Sequence, residues 1–414
     1  MTLGGLVLMA GAALATRLAV GLGAARRRDL LCLLSLVALY ALQTDAPPTA
    51  ALITAISIGL IGAVWWIALR TTITPTPSPT EDEAAQMRLA LALMVGIVAI
   101  FIVLKLPALW RALSALSSGK SAALIAWIGF SYIAFRLLHV LLDFRARRMA
   151  AVPPRDFLTY VLFFPTLPAG PIARIESFTK ALDAPLERDQ LAEGARRIAV
   201  GLLKKFVFAD TLALIALNPT LAAQTEHTLA LWVMLYAYAL RLFFDFSGYV
   251  DIAIGIGLWA GVRLPENFAA PYLRTTITAF WNAWHITLST WFRLYFFTPL
   301  SRTLLQGGVK ARLLVIFIAQ VSTMIVIGLW HGIALNFVLW GAWHGVGLWA
   351  HKVIVDRTRG WTAYVSERPL LKGMIAFAGW ALTFQFVVVG WVFFALPDGA
   401  LILKTLRGLV GIHG

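Results

Sequence analysis

Residues 228–260 read TLALWVMLYAYALRLFFDFSGYVDIAIGIGLWA, and the reading of this block decides the fold class. Charge interrupts it at Arg241, Asp245 and Asp251 alone. A helix rises about 1.5 Å per residue, so roughly 33 residues would reach about 50 Å. A bilayer core is about 30 Å thick and needs about 20 residues to cross. The block is therefore too long for one crossing. Ser247-Gly248 offers a break, which predicts two elements, 228–245 and 247–260. Further apolar stretches occupy 2–24, 29–44, 49–69, 88–104, 121–142, 311–330, 335–350 and 374–396.

Composition agrees with this reading. Of 414 residues, 60% are hydrophobic and 13% charged, and the mean hydropathy is +0.80. A soluble domain carries about 25% charged residues, so a soluble enzyme, a disordered chain and a secreted disulfide scaffold are excluded. An all-α polytopic protein, multi-pass in the cell (inner or plasma) membrane, is the expected class. Cys32 is the single cysteine, which excludes an internal disulfide and a Cys-rich metal site; no metal or bound cofactor is expected. Met1–Gly5 lacks a basic stretch, so the first apolar segment is read as a retained span. The net charge of +15 reflects Arg and Lys in short loops, where the positive-inside rule and anionic lipid headgroups account for them. No nucleic-acid partner is needed, although some of these cations can also meet an anionic substrate at the cytoplasmic face.

Arg26–Arg28, Arg70, and Arg145, Arg147, Arg148 and Arg155 alternate with poorer loops, which puts the N-terminus outside; Lys105, Arg111 and Lys120 run against that pattern. Residues 71–86, with three prolines and Glu81-Asp82-Glu83, are read as a linker closing the N-terminal third. Two segments break the hairpin pattern, Pro165–Arg174 with three prolines and Phe268–Leu300 with mixed aromatic and polar character. Irregular backbone at membrane depth survives only when buried in protein or lining a wet cavity. Residues 192–210 have the pattern of an amphipathic helix on a membrane surface.

Ionisable groups within spans are costly and mark functional candidates. Arg241 and Asp245, four apart, are expected to pair, with Asp251 two turns on. A structural tie between helices and an ion path both fit them. Of seven histidines, two stand out. If its segment is helical, His285 shares one face with Trp281, Trp284, Leu288 and Trp291. His331 ends a span in Gly328-Leu329-Trp330-His331-Gly332, where glycine permits a close approach. A histidine on an apolar face packs more often than it reacts, and both readings stand at this point. His344, in a second Trp-His-Gly, is read as packing. His351 and Asp356 form a His-x4-Asp pair of the kind seen in glycerolipid acyltransferases, a spacing easily met by chance. Walker, His-Glu-x-x-His, Gly-x-Ser-x-Gly and Gly-x-Gly-x-x-Gly motifs are absent.

The blocks Ile128–Asp143, Phe163–Arg174 with Phe178, Tyr236–Gly257, Pro265–Asn267 with Pro271-Tyr272, Phe280–Arg293, Gly328–Gly345 and Gly390–Phe394 resemble the membrane-bound O-acyltransferase family. Within it, they resemble the bacterial branch of alginate O-acetylases and the teichoic-acid D-alanyl transfer protein. The resemblance divides the chain into divergent N-terminal helices, 1–120, and a core, 121–414. It implies a ring of about 10–11 transmembrane helices with re-entrant and interfacial helices around a central funnel. His331 matches the family's catalytic histidine and His285 its second functional histidine. Asn282, Trp284, Trp330, Asn336, Asp245 and Arg293 are the candidate lining residues. Where the family has Arg-Asp-Tyr, this chain has Arg293-Leu294-Tyr295, and Asn282-Ala283 replace a frequent arginine pair.

The resemblance implies acyl transfer from acetyl-CoA or an acylated carrier protein to a polysaccharide hydroxyl. It also implies a periplasmic or extracellular receiving partner. His331 would act as general base, and His285 would orient the acceptor or donate to the oxyanion. D-Alanyl transfer to teichoic acid is the alternative. An ion-coupled transporter and a non-catalytic scaffold stand further off.

Overall fold

The computed structural model describes residues 3–18, 24–43, 47–70, 80–106 and 127–412. Arg111, Lys120, His413 and most of the 71–86 linker lie outside them. Among the described residues all regular structure is helical, and the β-pairing is an isolated antiparallel bridge between Phe268 and Trp284. The chain is an all-α, multi-pass membrane protein. Among the described residues, five helices are long and apolar enough to cross a bilayer: Ala50–Ala68, Glu81–Lys105, Thr228–Trp259, Arg312–His331 and Pro369–Ala395. The other apolar stretches lie on shorter or more polar helices. Two compact units divide the chain, Met1–Gly201 with Tyr249–Pro265, and Leu202–Gly248 with Glu266–Gly414.

The first unit contains α1 (Leu3–Leu18), α2 (Ala24–Gln43), α3 (Pro47–Ala68), α4 (Glu81–Lys105), α5 (Phe130–Arg145), α6 (Pro154–Leu162), α7 (Ile175–Asp183) and α8 (Asp189–Leu202). Glu81–Glu83 belong to α4 rather than to a linker. Thr80 and Glu83 cap each other's backbone N–H groups, and three carboxylates in the first turn suit the positive end of the helix dipole. Arg26–Arg28 likewise lie in the first turn of α2 and not in a loop. Arg28 pairs with Asp156 at 2.9 Å, and Arg27 donates to the Gly261 carbonyl at 3.1 Å.

Helix α5 is buried along nearly its whole length. The proline-rich segment after α6 is irregular and buried, as its prolines predict, and side chains from its own unit satisfy its backbone. Arg136 donates to the Val161 carbonyl at 2.7 Å and to Thr166 Oγ1 at 2.5 Å. Tyr249 and Tyr160 hydroxyls donate to the carbonyls of Pro165 and Ala173, each at 3.0 Å. Helical hydrogen bonds surrendered by the prolines are thus replaced.

Residues 228–260 correct the sequence reading. They form one helix, α9 (Thr228–Trp259), of 32 residues, not two elements. A glycine inside a helix costs only about 1 kcal/mol, and residues 247–250 are all buried, so packing holds Ser247-Gly248 helical. The passage from one unit to the other falls at Gly248–Tyr249 without interrupting the helix. Within the first unit α9 crosses α8 through two glycines, since a Cβ on Gly255 would stand 2.6 Å from the Gly194 carbonyl oxygen. Gly255→Ala is expected to destabilise the protein by about 1–3 kcal/mol. A thermal midpoint in detergent lowered by several degrees checks this; an unchanged midpoint contradicts it.

The charged residues of α9 correct a second reading. Arg241 and Asp245 do not pair. In the second unit Asp245 bonds Lys205 Nζ at 2.5 Å; in the first, Asp251 bonds Arg197 at 2.5 Å. Both cations come from the amphipathic segment, which runs from α8 through a π-helical stretch, Leu203–Ala209, to Ala213. A cation already fixed on a neighbouring helix competes successfully with one on the same helix, whose exposed i,i+4 pair is worth only about 0.2–0.5 kcal/mol.

The second unit adds α10 (Ile277–Trp281), α11 (Ile286–Phe292), α12 (Arg312–His331), α13 (Leu335–Arg357), α14 (Pro369–Ala395) and α15 (Gly399–Leu409). Helices α12 and α13 form a tight antiparallel hairpin. A Cβ on Gly341 would meet the Met324 carbonyl oxygen at 2.4 Å, and one on Gly328 the Phe337 carbonyl oxygen at 2.1 Å. Their backbones are therefore in contact, and the turn between them carries His331.

Candidate active site

The site lies within the second unit and begins with a backbone irregularity. Helix α10 ends at Trp281 and α11 starts at Ile286; between them His285 adopts φ 45° and ψ 52°. A left-handed non-glycine residue is strained by about 1–3 kcal/mol and must be held by its surroundings. Here the chain around Asn267 does so. Asn267 Oδ1 accepts from Thr287 N at 3.0 Å and from Thr287 Oγ1 at 2.7 Å. The Asn267 carbonyl accepts from Ile286 N at 3.0 Å, and Ala269 N donates to the Ala283 carbonyl at 3.0 Å. The predicted single helical face from Trp281 to Trp291 is thus corrected. Trp281, Trp284, His285 and Leu288 still converge on one cavity, while Trp291 packs against Phe292 and Tyr295.

That cavity is about 40 Å³ and is shared by His285 and His331, room for about one water molecule. His285 is 2% exposed, and neither of its ring nitrogens finds a hydrogen-bond partner in another of the described residues. Its ring lies 4.7 Å from Phe246 and 6.1 Å from Trp330. His331 is the last residue of α12, half-buried, with Trp330, Phe394 and Trp340 at 4.5, 4.8 and 5.6 Å between ring centroids. Trp330 therefore touches both imidazoles.

A second cavity of about 490 Å³ adjoins the first, and Trp281 and Ile327 line both. Its polar lining is Thr278, Asn282, Ser289, Thr290, Arg293, Gln320 and Thr323. Arg293 begins a π-helical turn, Arg293–Phe297, an irregularity frequent at functional sites. Gln320 and Thr323 were not singled out from sequence. Their signal was present, since polar residues three apart on an apolar span share a face with Ile327. Phe246, Trp391 and Phe394, which complete the small cavity, carry no local signal and arrive by tertiary folding.

The other expected lining residues divide. Asn282, Arg293 and Trp284 line one cavity or the other. Trp330, Asn336 and Asp245 line neither, although Trp330 packs on both imidazoles. Asn336 donates to the Phe393 carbonyl at 3.1 Å and ties α13 to α14, and Asp245 is spent on Lys205. His344 is fully buried behind Trp281 and Trp340. His351 and Asp356 do not meet as a pair; His351 Nδ1 lies 3.0 Å from Thr278 Oγ1, and Asp356 bonds Lys352 and Arg359.

In the first unit, His139, Asp143 and Glu176 are close enough to hold a cation. The Arg174 guanidinium already stands 2.9 Å from Asp143 and 3.5 Å from Glu176, which supplies their counter-charge.

Two histidines on one small cavity, beside a larger one with polar groups in its lining, suit proton transfer to a bound substrate. A model of the membrane-bound O-acyltransferase family matches residues 52–392. The chain belongs to that family. It is 37% identical over 269 residues to a probable alginate O-acetylase AlgI of Pseudomonas syringae, covering 64% of this chain and 48% of the relative. A peptidoglycan O-acetyltransferase of Helicobacter pylori is 34% identical over 263 residues, covering 63% and 47%. A teichoic acid D-alanyltransferase of Streptococcus thermophilus is 30% identical over 290 residues, covering 66% and 69%. The chain thus spans about half the length of the acetyl-transferring relatives. The family match reaches well into the N-terminal third, which supplies α3 and α4.

Proposed function

We propose that this family member transfers an acetyl group from a thioester, acetyl-CoA, to a hydroxyl of an extracellular polysaccharide at the cell membrane, with His331 as general base. The carrying observation is the shared cavity of His285 and His331 next to a chamber large enough for a donor's reactive end. The names of the alginate and peptidoglycan relatives support acetyl and polysaccharide. In this reading His331 takes the acceptor's proton as its oxygen attacks the thioester carbonyl. The C–S bond then breaks, and the imidazolium returns the proton to the thiolate, leaving an ester and a thiol. His285 orients the acceptor hydroxyl. Acetyl-group delivery to a polymer outside the membrane calls for a receiving protein or polysaccharide on that side.

The larger cavity is the donor chamber. It runs along α12 from Ile327 back to Gln320 and reaches Leu348 in α13, toward the end of the hairpin where α12 begins and α13 ends. Arg302, Lys310, Arg312, Lys352, Arg357 and Arg359 gather at that end of the hairpin, the sign expected of a cytoplasmic face. Arg293 is exposed and lines the chamber, suited to a donor phosphate. Arg293→Gln is expected to raise the donor KM about tenfold, the loss of one charge-assisted hydrogen bond, with kcat little changed. An unaltered KM removes Arg293 from donor binding.

D-Alanyl transfer from a carrier protein is the second reading, favoured by the fuller coverage of the Streptococcus thermophilus relative. Incubation of the purified protein with labelled acetyl-CoA and, separately, with a D-alanyl-charged carrier protein decides between them. Transfer from neither donor to any polymer overturns both.

A further inference from the structure

Five indole N–H groups in the second unit tie its segments together. Trp232, Trp343, Trp349 and Trp380 donate to the carbonyls of Leu409, Phe386, Leu313 and Tyr272 at 2.9–3.1 Å, and Trp391 donates to the Tyr272 hydroxyl at 3.1 Å. Trp281 and Trp340 break this pattern. They are 7% and 1% exposed, and the Nε1 atom of each is buried without a hydrogen-bond partner among the described residues. Both line the cavity of His285 and His331.

A buried donor left unpaired is destabilising, and each native case calls for an explanation. The indole nitrogen is a donor only and cannot act as a base. The partner such a donor can take is an acceptor oxygen, and a ligand entering the cavity brings one. The reaction proposed above creates such an oxygen in this space. As the acceptor hydroxyl adds to the thioester carbonyl, the carbonyl π pair moves to oxygen and the hydroxyl proton moves to His331. Collapse of the tetrahedral species restores the C=O bond, breaks the C–S bond and delivers the proton to the leaving thiolate. Between those steps one negative oxygen needs donors in a low-dielectric site, where fixed dipoles are most effective.

We propose that the indole N–H groups of Trp281 and Trp340 form the oxyanion hole of this protein, an assignment that rests on the acyl-transfer reading. Trp281 stands between the donor chamber and the histidine cavity, where a thioester carbonyl passes from one to the other. Two neutral donors stabilise the oxyanion without adding a cation beside His331, whose basicity the reaction needs. His344, equally buried and with both nitrogens unpaired, lines neither cavity and is left out of the hole.

The test removes the N–H and keeps the ring. Trp281→Phe and Trp340→Phe are made first. The isostere 3-benzothienylalanine, with sulfur in place of N–H, is then placed at each position, so that loss of ring volume does not decide the result. Each isostere is expected to lower kcat about 10²–10³-fold with the donor KM within threefold. The thermal midpoint in detergent is expected to hold or rise, because an unpaired buried donor has gone. A kcat within threefold of the unmodified protein at either position overturns the hole, and so does a lowered midpoint with the isostere, which would mark the N–H as a structural tie. If the unmodified protein transfers no acyl group from either donor, the acyl-transfer reading fails and the hole falls with it. If transfer occurs and depends on His331 while the isosteres retain it, the hole alone fails.

Discussion

His331→Ala is expected to reduce acyl transfer at least about a thousandfold, within the 10²–10⁴ range that a positioned general base contributes. The imidazole is half-buried at the end of α12 among Trp330, Trp340 and Phe394. Alanine leaves a larger void there and removes the imidazole assigned to take the acceptor's proton. Because the loss falls on a step made only in the transition state, kcat and kcat/KM should drop together with the donor KM little changed. Folding should survive, since the helical backbone of α12 and the glycine contacts of the hairpin do not involve the ring. Initial rates with labelled donor, beside a size-exclusion profile in detergent, check both halves. Activity within about tenfold of the unmodified protein takes His331 out of the chemistry.

Arg136→Met is expected to destabilise the protein by about 2–4 kcal/mol, the cost of leaving buried acceptors without their donor at about 1–3 kcal/mol each. Arg136 is 2% exposed, and its guanidinium holds the Val161 carbonyl and Thr166 on the irregular stretch after α6. Methionine matches much of the volume but leaves those acceptors without a donor in a region closed to water. The stretch cannot recover by turning helical, because Pro165, Pro168 and Pro171 interrupt it. Poor recovery from membranes, or a thermal midpoint far below that of the unmodified protein, is the expected observation. A protein of ordinary stability would show that the prolines alone define this segment.

The two substitutions separate what was legible in the chain from what was not. The multi-pass helical class follows from 13% charged residues and from apolar runs of membrane-crossing length, a property of composition that no tertiary contact can reverse. The irregular character of Pro165–Arg174 was equally legible, since proline lacks the N–H a helix needs. Trp281, Trp284, His285 and Leu288 could be grouped from spacing alone, yet for the wrong reason. A regular helix was assumed, while Asn267, distant from it in sequence, bends the backbone at His285 into the left-handed region. The cavity keeps the group because a kinked segment buried among aromatic rings turns those side chains to the same side.

Electrostatic partners were the least legible feature. Arg241 and Asp245 satisfy the i,i+4 rule, but the rule sees only one helix. Lys205 and Arg197 take the carboxylates of α9 because tertiary folding lays their segment against it. The continuity of α9 through Ser247-Gly248 has the same origin, since local propensity differs by only about 1 kcal/mol there and burial outweighs it.

By itself the sequence determined the solvent this protein folds in, the helical nature of its segments and the two imidazoles set among tryptophans and glycines, because hydrophobicity and backbone chemistry act residue by residue. Only the tertiary structure decided that His285 and His331 line one cavity, that Trp281 is common to it and the larger cavity, and which charges meet. Those are distances between segments far apart along the chain, and they are set by how side chains fill space together.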